Sequence, residues 1–160
     1  QEDRPDLLVR PAGRLLTRAA IALGSNLGDR AAILGRARSG VDRLPLTRVL
    51  AASPVEETAP LGPVPQGPYL NQMVLVETAL APRELLDALL ALERAEGRIR
   101  GVRWGPRTLD CDIVLYGEDH VAEHGLVIPH PELPHREFWL RGLSALGVAP
   151  PQIEMHGRAG

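Results

Sequence analysis

RWGPRTLDCDIVLYG, residues 103–117, joins an arginine-rich lead punctuated by glycine to an apolar run that reads as a β-strand from Leu109 to Tyr116, closed by Gly117. Successive side chains on a strand point to opposite faces. Asp110 and Asp112 therefore share one face roughly 7 Å apart, and Cys111 and Ile113 point the other way. Working back from this strand, Pro82 suits the first turn of a helix in which Leu85, Leu86, Leu89, Leu90 and Leu92 form one apolar face and Gly97 ends the run. Before it, Tyr69 to Leu80 carries Met73, Val74, Leu75 and Val76 as the middle of a buried strand.

APLGPVPQGP, residues 59–68, holds four prolines and two glycines and excludes regular structure. A loop of this length in a small domain is commonly functional. Thr47 to about Thr58 reads as extended. Ile33, Leu34, Ala37, Val41 and Leu44 recur at helical spacing from Asp29 until Pro45 stops them. Ala19-Ala20-Ile21-Ala22-Leu23 is a buried strand ended by Gly24-Ser25-Asn26, a turn to which a structural role is given. The order β-α-β-β-α-β predicts an α+β, ferredoxin-like antiparallel sheet with helices on one face, and extra C-terminal elements follow, including an extended Leu126-Val127-Ile128. Residues 1–18 read as an N-terminal extension and residues 19–160 as one domain.

Composition narrows the chemistry. The chain has 160 residues, and its 18 basic side chains are all arginine, which removes lysine Schiff bases and a Walker A lysine. One cysteine, Cys111, excludes an intramolecular disulfide and multi-cysteine metal sites, and it favours a reducing compartment. A net charge of −2 implies no bulk attraction to nucleic acid or an anionic membrane. With no apolar stretch of membrane-spanning length and no apolar centre near the N-terminus, a cytoplasmic location is expected.

A D-x-D pair on a strand can be a capped turn beside a solvated acid, or it can hold hard cations. Oxygen ligands of this kind suit Mg²⁺, which retains water and completes its shell with substrate phosphates. Arg98, Arg100, Arg103 and Arg107 crowd just upstream, interleaved with Trp104. Guanidinium forks bind phosphate oxygens bidentately and an indole stacks on flat heterocycles. Together with a carboxylate metal site these are the parts of phosphoryl transfer. A solvated basic loop, or a single-stranded RNA module of the same fold, is the competing reading. Against the RNA module stand the missing aromatic pair on the sheet and the missing basic surplus.

Residues 103–117 closely resemble the signature of the 6-hydroxymethyl-7,8-dihydropterin pyrophosphokinase family of folate biosynthesis, as do IALGSNLGDR (21–30), the run Thr58-x2-Leu61-Gly62-Pro63 followed by Tyr69-Leu70-Asn71, and VIPHPELPHREFWL (127–140). The resemblance implies transfer of the β,γ-pyrophosphoryl group of ATP to the pterin hydroxymethyl group, releasing AMP. It implies that Asp110 and Asp112 hold two Mg²⁺ ions and that Arg98 and Arg107 join them as catalytic residues. It nominates Glu93, Arg98, Arg100, Trp104, Arg107, Ile113, His130 and Arg136 around ATP, and Thr58, Leu61, Tyr69, Asn71, Trp104 and Phe138 around the pterin, with Trp104 and Phe138 as the stack. Small-molecule substrates, no nucleic acid, no membrane and a monomer are expected; no general base is assigned.

The chain also departs from the family pattern. Its arginine-rich loop is one residue shorter than in well-known members, and Leu90, Ala59 and Pro131 replace more usual residues. Cys111 stands at a usually aliphatic position, where a thiol facing the core is inert packing. His120, His124, His135 and His156 are read as surface or packing residues.

Overall fold

Thr17–Ser25 form β1, whose alternating positions are apolar on both faces, so it needs covering from two sides and becomes the centre of the sheet. A computed structural model describes residues 14–97 and 108–150. The expectations on Arg98, Arg100, Trp104, Arg107 and His156 lie outside the described residues. β1 pairs antiparallel with β4 (Tyr69–Thr78) on one side and β5 (Asp110–Tyr116) on the other, and β2 (Thr47–Ala52) pairs with the far edge of β4. The order β2-β4-β1-β5 is the expected ferredoxin-like sheet. β1 begins at Thr17, inside the segment read as an extension, and Arg14 donates to the Ala79 carbonyl and to Glu84.

The interval from Thr47 to Thr58 is two strands. Pro54 has no N–H to give a ladder, and pairing lapses at Ser53-Pro54-Val55 before β3 (Glu56–Thr58) resumes along β4. Ser53 eases the break, because its backbone N–H donates to Met73 O and its hydroxyl accepts the Met73 N–H.

α1 (Arg30–Asp42) starts where the Asp29 carboxylate accepts the Ala32 N–H, and α2 (Pro82–Ala95) where Glu84 reaches back to the Ala81 N–H. Both pack on one face. Ile33, Leu34, Ala37, Val41, Leu85 and Leu89 meet Ile21, Leu23, Val74, Val76, Cys111 and Ile113 in the larger core. Each wholly buried leucine in it contributes about 2 kcal/mol by leaving water.

α3 (Glu137–Ala145) covers the opposite face, a departure from the expected one-sided arrangement. Its Trp139 and Leu143 form a second core with Ala20, Ala22, Met73, Val114 and Leu115. The cause is visible in β1, whose Ala20 and Ala22 present small side chains on that face and admit a helix there. Contact is closest at Gly142, where an added Cβ would sit 2.7 Å from the Met73 Cβ. The extended piece Leu126–Ile128, β7, is paired with an unforeseen β6 (Val121–Glu123), and a 3-10 turn at Leu133–His135 leads into α3.

Candidate active site

The registers of β4, β1 and β5 set side chains in rows across the sheet. Gly24 stands opposite both Asn71 and Asp110, and Ala22 opposite both Met73 and Asp112. Asp110 and Asp112 therefore share the face that α3 covers, while Cys111 and Ile113 lie in the core beneath α1 and α2, as alternation requires. One extra β5 residue, Val114, then makes a bulge opposite the Ala20–Ile21 step. Val114 and Leu115 consequently both face α3, and the apolar packing on that face resumes two residues after Asp112.

Where the central strand shrinks to Ala22 and Gly24, a cavity of about 220 Å³ opens between sheet and helix. Its lining joins Asp110 and Asp112 to Asn71, Tyr69, Leu61, Arg136, Phe138 and Trp139. Its carboxylates come from β5 and its amide and phenol from β4, on either side of β1, and Arg136, Phe138 and Trp139 complete the lining. A flat polar heterocycle with an anionic substituent meets its complements here.

The polar groups are held from behind. Asn71 Nδ2 donates to the Thr58 hydroxyl at 2.7 Å and to the Glu56 carbonyl at 3.3 Å. Thr58 thus acts on the cavity through Asn71 and does not line it. Arg136 lies over the Trp139 ring, 4.5 Å from its centroid, and its buried Nε has no hydrogen-bond partner among the described residues. His130 packs edge-on against Trp139 and places Nε2 3.5 Å from Asp112 Oδ1. The 59–68 loop is tied to the turn after β1, since Asn26 Nδ2 donates to Gln66 Oε1 and Gly67 O, and Arg30 donates to Pro68 O.

Among the described expectations, the cavity brings together Asp110, Asp112, Leu61, Tyr69, Asn71, Arg136 and Phe138. Glu93 and Ile113 lie elsewhere, and both are buried on the face under the helices. The Glu93 carboxylate accepts the Cys111 backbone N–H at 2.8 Å, which fixes β5 between its two acids. Sequence reasoning missed Trp139, Ala22 and Gly24 as lining residues. Two apolar faces on β1 signal a second layer, and the alanine-glycine taper on one of them signals where that layer leaves space.

Fold and site define an α+β, ferredoxin-like domain with an acid-bearing cavity sized for a small heterocycle. Residues 20–148 match the model of the 7,8-dihydro-6-hydroxymethylpterin-pyrophosphokinase family. A 2-amino-4-hydroxy-6-hydroxymethyldihydropteridine pyrophosphokinase of Pseudomonas aeruginosa is 43% identical over 132 residues, 82% of each chain. Its counterpart from Bacillus subtilis is 40% identical over 128 residues, covering 80% of this chain and 77% of the relative. Among solved structures, a wild-type Plasmodium falciparum HPPK-DHPS with pterin and p-hydroxybenzoate superposes with a TM-score of 0.67 at 13% identity, over 94% of this chain and 43% of that one. The chain thus spans under half of that solved protein, a likeness of fold. The chain belongs to the 7,8-dihydro-6-hydroxymethylpterin-pyrophosphokinase family, a family of transferases.

Proposed function

We propose that this chain transfers a pyrophosphoryl group from ATP to the hydroxymethyl oxygen of 6-hydroxymethyl-7,8-dihydropterin, a step of folate biosynthesis. The single observation that carries the reading is one cavity that joins Asp110 and Asp112 to Asn71, Tyr69 and Phe138. A new bond forms from the hydroxymethyl oxygen to the β-phosphorus, the bond between the α,β-bridging oxygen and that phosphorus breaks, and its electron pair leaves on AMP. The hydroxyl proton passes to solvent.

The ring of the pterin lies against Phe138 and Tyr69, with Asn71 at its polar edge. Trp139 backs the cavity and holds Arg136, whose guanidinium faces the phosphates. Asp110 and Asp112 supply only two carboxylates, and no group of three or more His, Cys, Asp or Glu side chains that could hold a metal ion occurs among the described residues. Such a donor set fits two Mg²⁺ ions that take their remaining ligands from water and phosphate. Held by Asp110 and Asp112, such ions would supply neutralisation of the triphosphate charge and so ease attack by the alcohol. Excluding water from the closed cavity falls to Leu61 and the 59–68 loop. The family resemblance assigns Arg98, Arg100 and Arg107 to the phosphates and Trp104 to the pterin ring. His130 adds a donor near the acids.

No helix among the described residues is long and apolar enough to cross a membrane. We place the enzyme in the cytoplasm. The deciding assay supplies Mg²⁺, ATP and 6-hydroxymethyl-7,8-dihydropterin. AMP must appear in step with pterin diphosphate; formation of ADP, or turnover without a divalent cation, refutes the reading.

A further inference from the structure

The aromatic wall of the cavity is thin. A second cavity of about 350 Å³ lies beside it, lined by Ser53, Glu56 and Asn71 from the sheet side and by Phe138, Trp139 and Arg141 from α3. Trp139, Leu143 and Gly142 hold α3 closely against β4, whereas Phe138, on the side facing β3, is only partly buried. At the Phe138 edge of α3 a polar contact adds to that packing.

Arg141 sits one helical turn beyond Phe138, on a neighbouring position of α3. Its Nε donates to Glu56 Oε1 at 3.2 Å and Oε2 at 3.0 Å, and its Nη2 also meets Oε2. Glu137, one turn earlier, is the other acid facing this guanidinium, at 3.9 Å. Glu56 is joined to the opposite wall through its own backbone, since its carbonyl accepts from Asn71 Nδ2 and it stands opposite Asn71 in the β3–β4 ladder. One residue therefore connects the amide that lines the cavity to the helix that carries the ring.

We propose that the Glu56–Arg141 pair is a strap across the outer mouth of the second cavity, setting the spacing between Phe138 and Asn71 and so the affinity of the site for its flat heterocycle. Glu56 and Arg141 are positioning residues. Neither lines the first cavity. Surface ion pairs add little to global stability, commonly under about 1 kcal/mol. The strap's effect is on geometry, and the two-pronged contact suits it, because a guanidinium held by both carboxylate oxygens has one orientation.

The inference rests on the proposed pterin site. The experiment measures binding of 6-hydroxymethylpterin by its own fluorescence in the presence of Mg²⁺ and a non-hydrolysable ATP analogue, for wild type, Glu56→Gln, Arg141→Gln and the charge-swapped Glu56→Arg/Arg141→Glu protein. Each single variant is expected to weaken pterin binding about 3- to 10-fold, with analogue affinity within about 2-fold and Tm within about 2 °C of wild type. The swapped protein regains at least half of the loss. Raising salt from about 0.05 to 0.5 M weakens the wild type towards the single variants and leaves those variants nearly unchanged. The strap is refuted if the single variants bind like wild type, or if analogue affinity or Tm falls in parallel with pterin affinity. A wild type that does not bind the pterin at all removes the proposed function as well, and that result is distinct from equal binding by all four proteins.

Discussion

His130 Nε2 lies 3.5 Å from Asp112 Oδ1, while Nδ1 on the other side of the ring accepts the Glu132 backbone N–H at 3.1 Å. A neutral imidazole that accepts at Nδ1 carries its proton at Nε2, the nitrogen nearer the acid. Long-range proton-nitrogen NMR at about pH 8 should find the Nε2-protonated tautomer. His130→Ala should lower kcat/KM by about 10- to 100-fold, within the range of a lost charge-assisted donor. A ring protonated at Nδ1 at that pH contradicts the assignment.

Asp110→Ala and Asp112→Ala should each reduce turnover by about 100- to 1000-fold, the scale of losing a group that acts on transition-state charge. Calorimetric titration with Mg²⁺ and an ATP analogue is the independent readout. Undiminished cation-dependent binding in both variants would place the metal elsewhere.

Gly142→Ala sets two effects of opposite sign against each other. Alanine inside a helix is favoured over glycine by up to about 1 kcal/mol. The new Cβ, however, would lie 2.7 Å from a Met73 Cβ fixed to the strand backbone, and overpacking of this kind costs about 1–3 kcal/mol. Net destabilisation is expected in urea denaturation, with a raised KM for the pterin because α3 must shift; an unchanged or higher midpoint denies the close approach.

Tyr116 is held by burial above the ordinary tyrosine value, and its hydroxyl donates to the Leu80 carbonyl at 2.5 Å. The folded state keeps a proton that the unfolded chain gives up more readily. Stability is therefore whole below the usual value of 10.0 and falls as pH rises through it towards the raised one. Tyr116→Phe should flatten that alkaline decline. It should also cost about 1 kcal/mol near neutrality by stranding the Leu80 carbonyl. Denaturation midpoints between about pH 8 and 11 measure both effects, and parallel curves for the two proteins would count against the assignment.

That Asp110 and Asp112 share a face was legible from spacing, because strand alternation is a rigid rule, but their reading as a cation site came from the arginine flank and the family resemblance. The apolar periodicity of α1 and α2 placed those helices equally well. Trp139 was not legible. It adjoins Phe138 on a helix, where neighbours point about 100° apart, and the surface each meets depends on how α3 lies on the sheet. The break at Pro54 carried a local signal, a missing N–H in an extended run, outweighed by the β-rich residues around it. The resemblance nominated Thr58 for the pterin and Glu93 for ATP, but the partners they have in the fold, Asn71 and the Cys111 backbone, lie 13 and 18 residues away and become neighbours only through tertiary folding.

The taper of β1 from Ala20 and Ala22 to Gly24 has a consequence for how such a domain can change over generations. The notch is made by missing atoms, on a strand whose other face carries the larger core. A Cβ at position 24 would come within 3.4 Å of both Asn71 Oδ1 and Tyr69 Cδ2, an ordinary packing distance. A single added methyl there would narrow the pocket beside Asn71 and Tyr69 and leave the sheet intact. Loss of function by that route would leave a well-folded descendant, recognisable by its sheet and acids but silent towards a heterocycle.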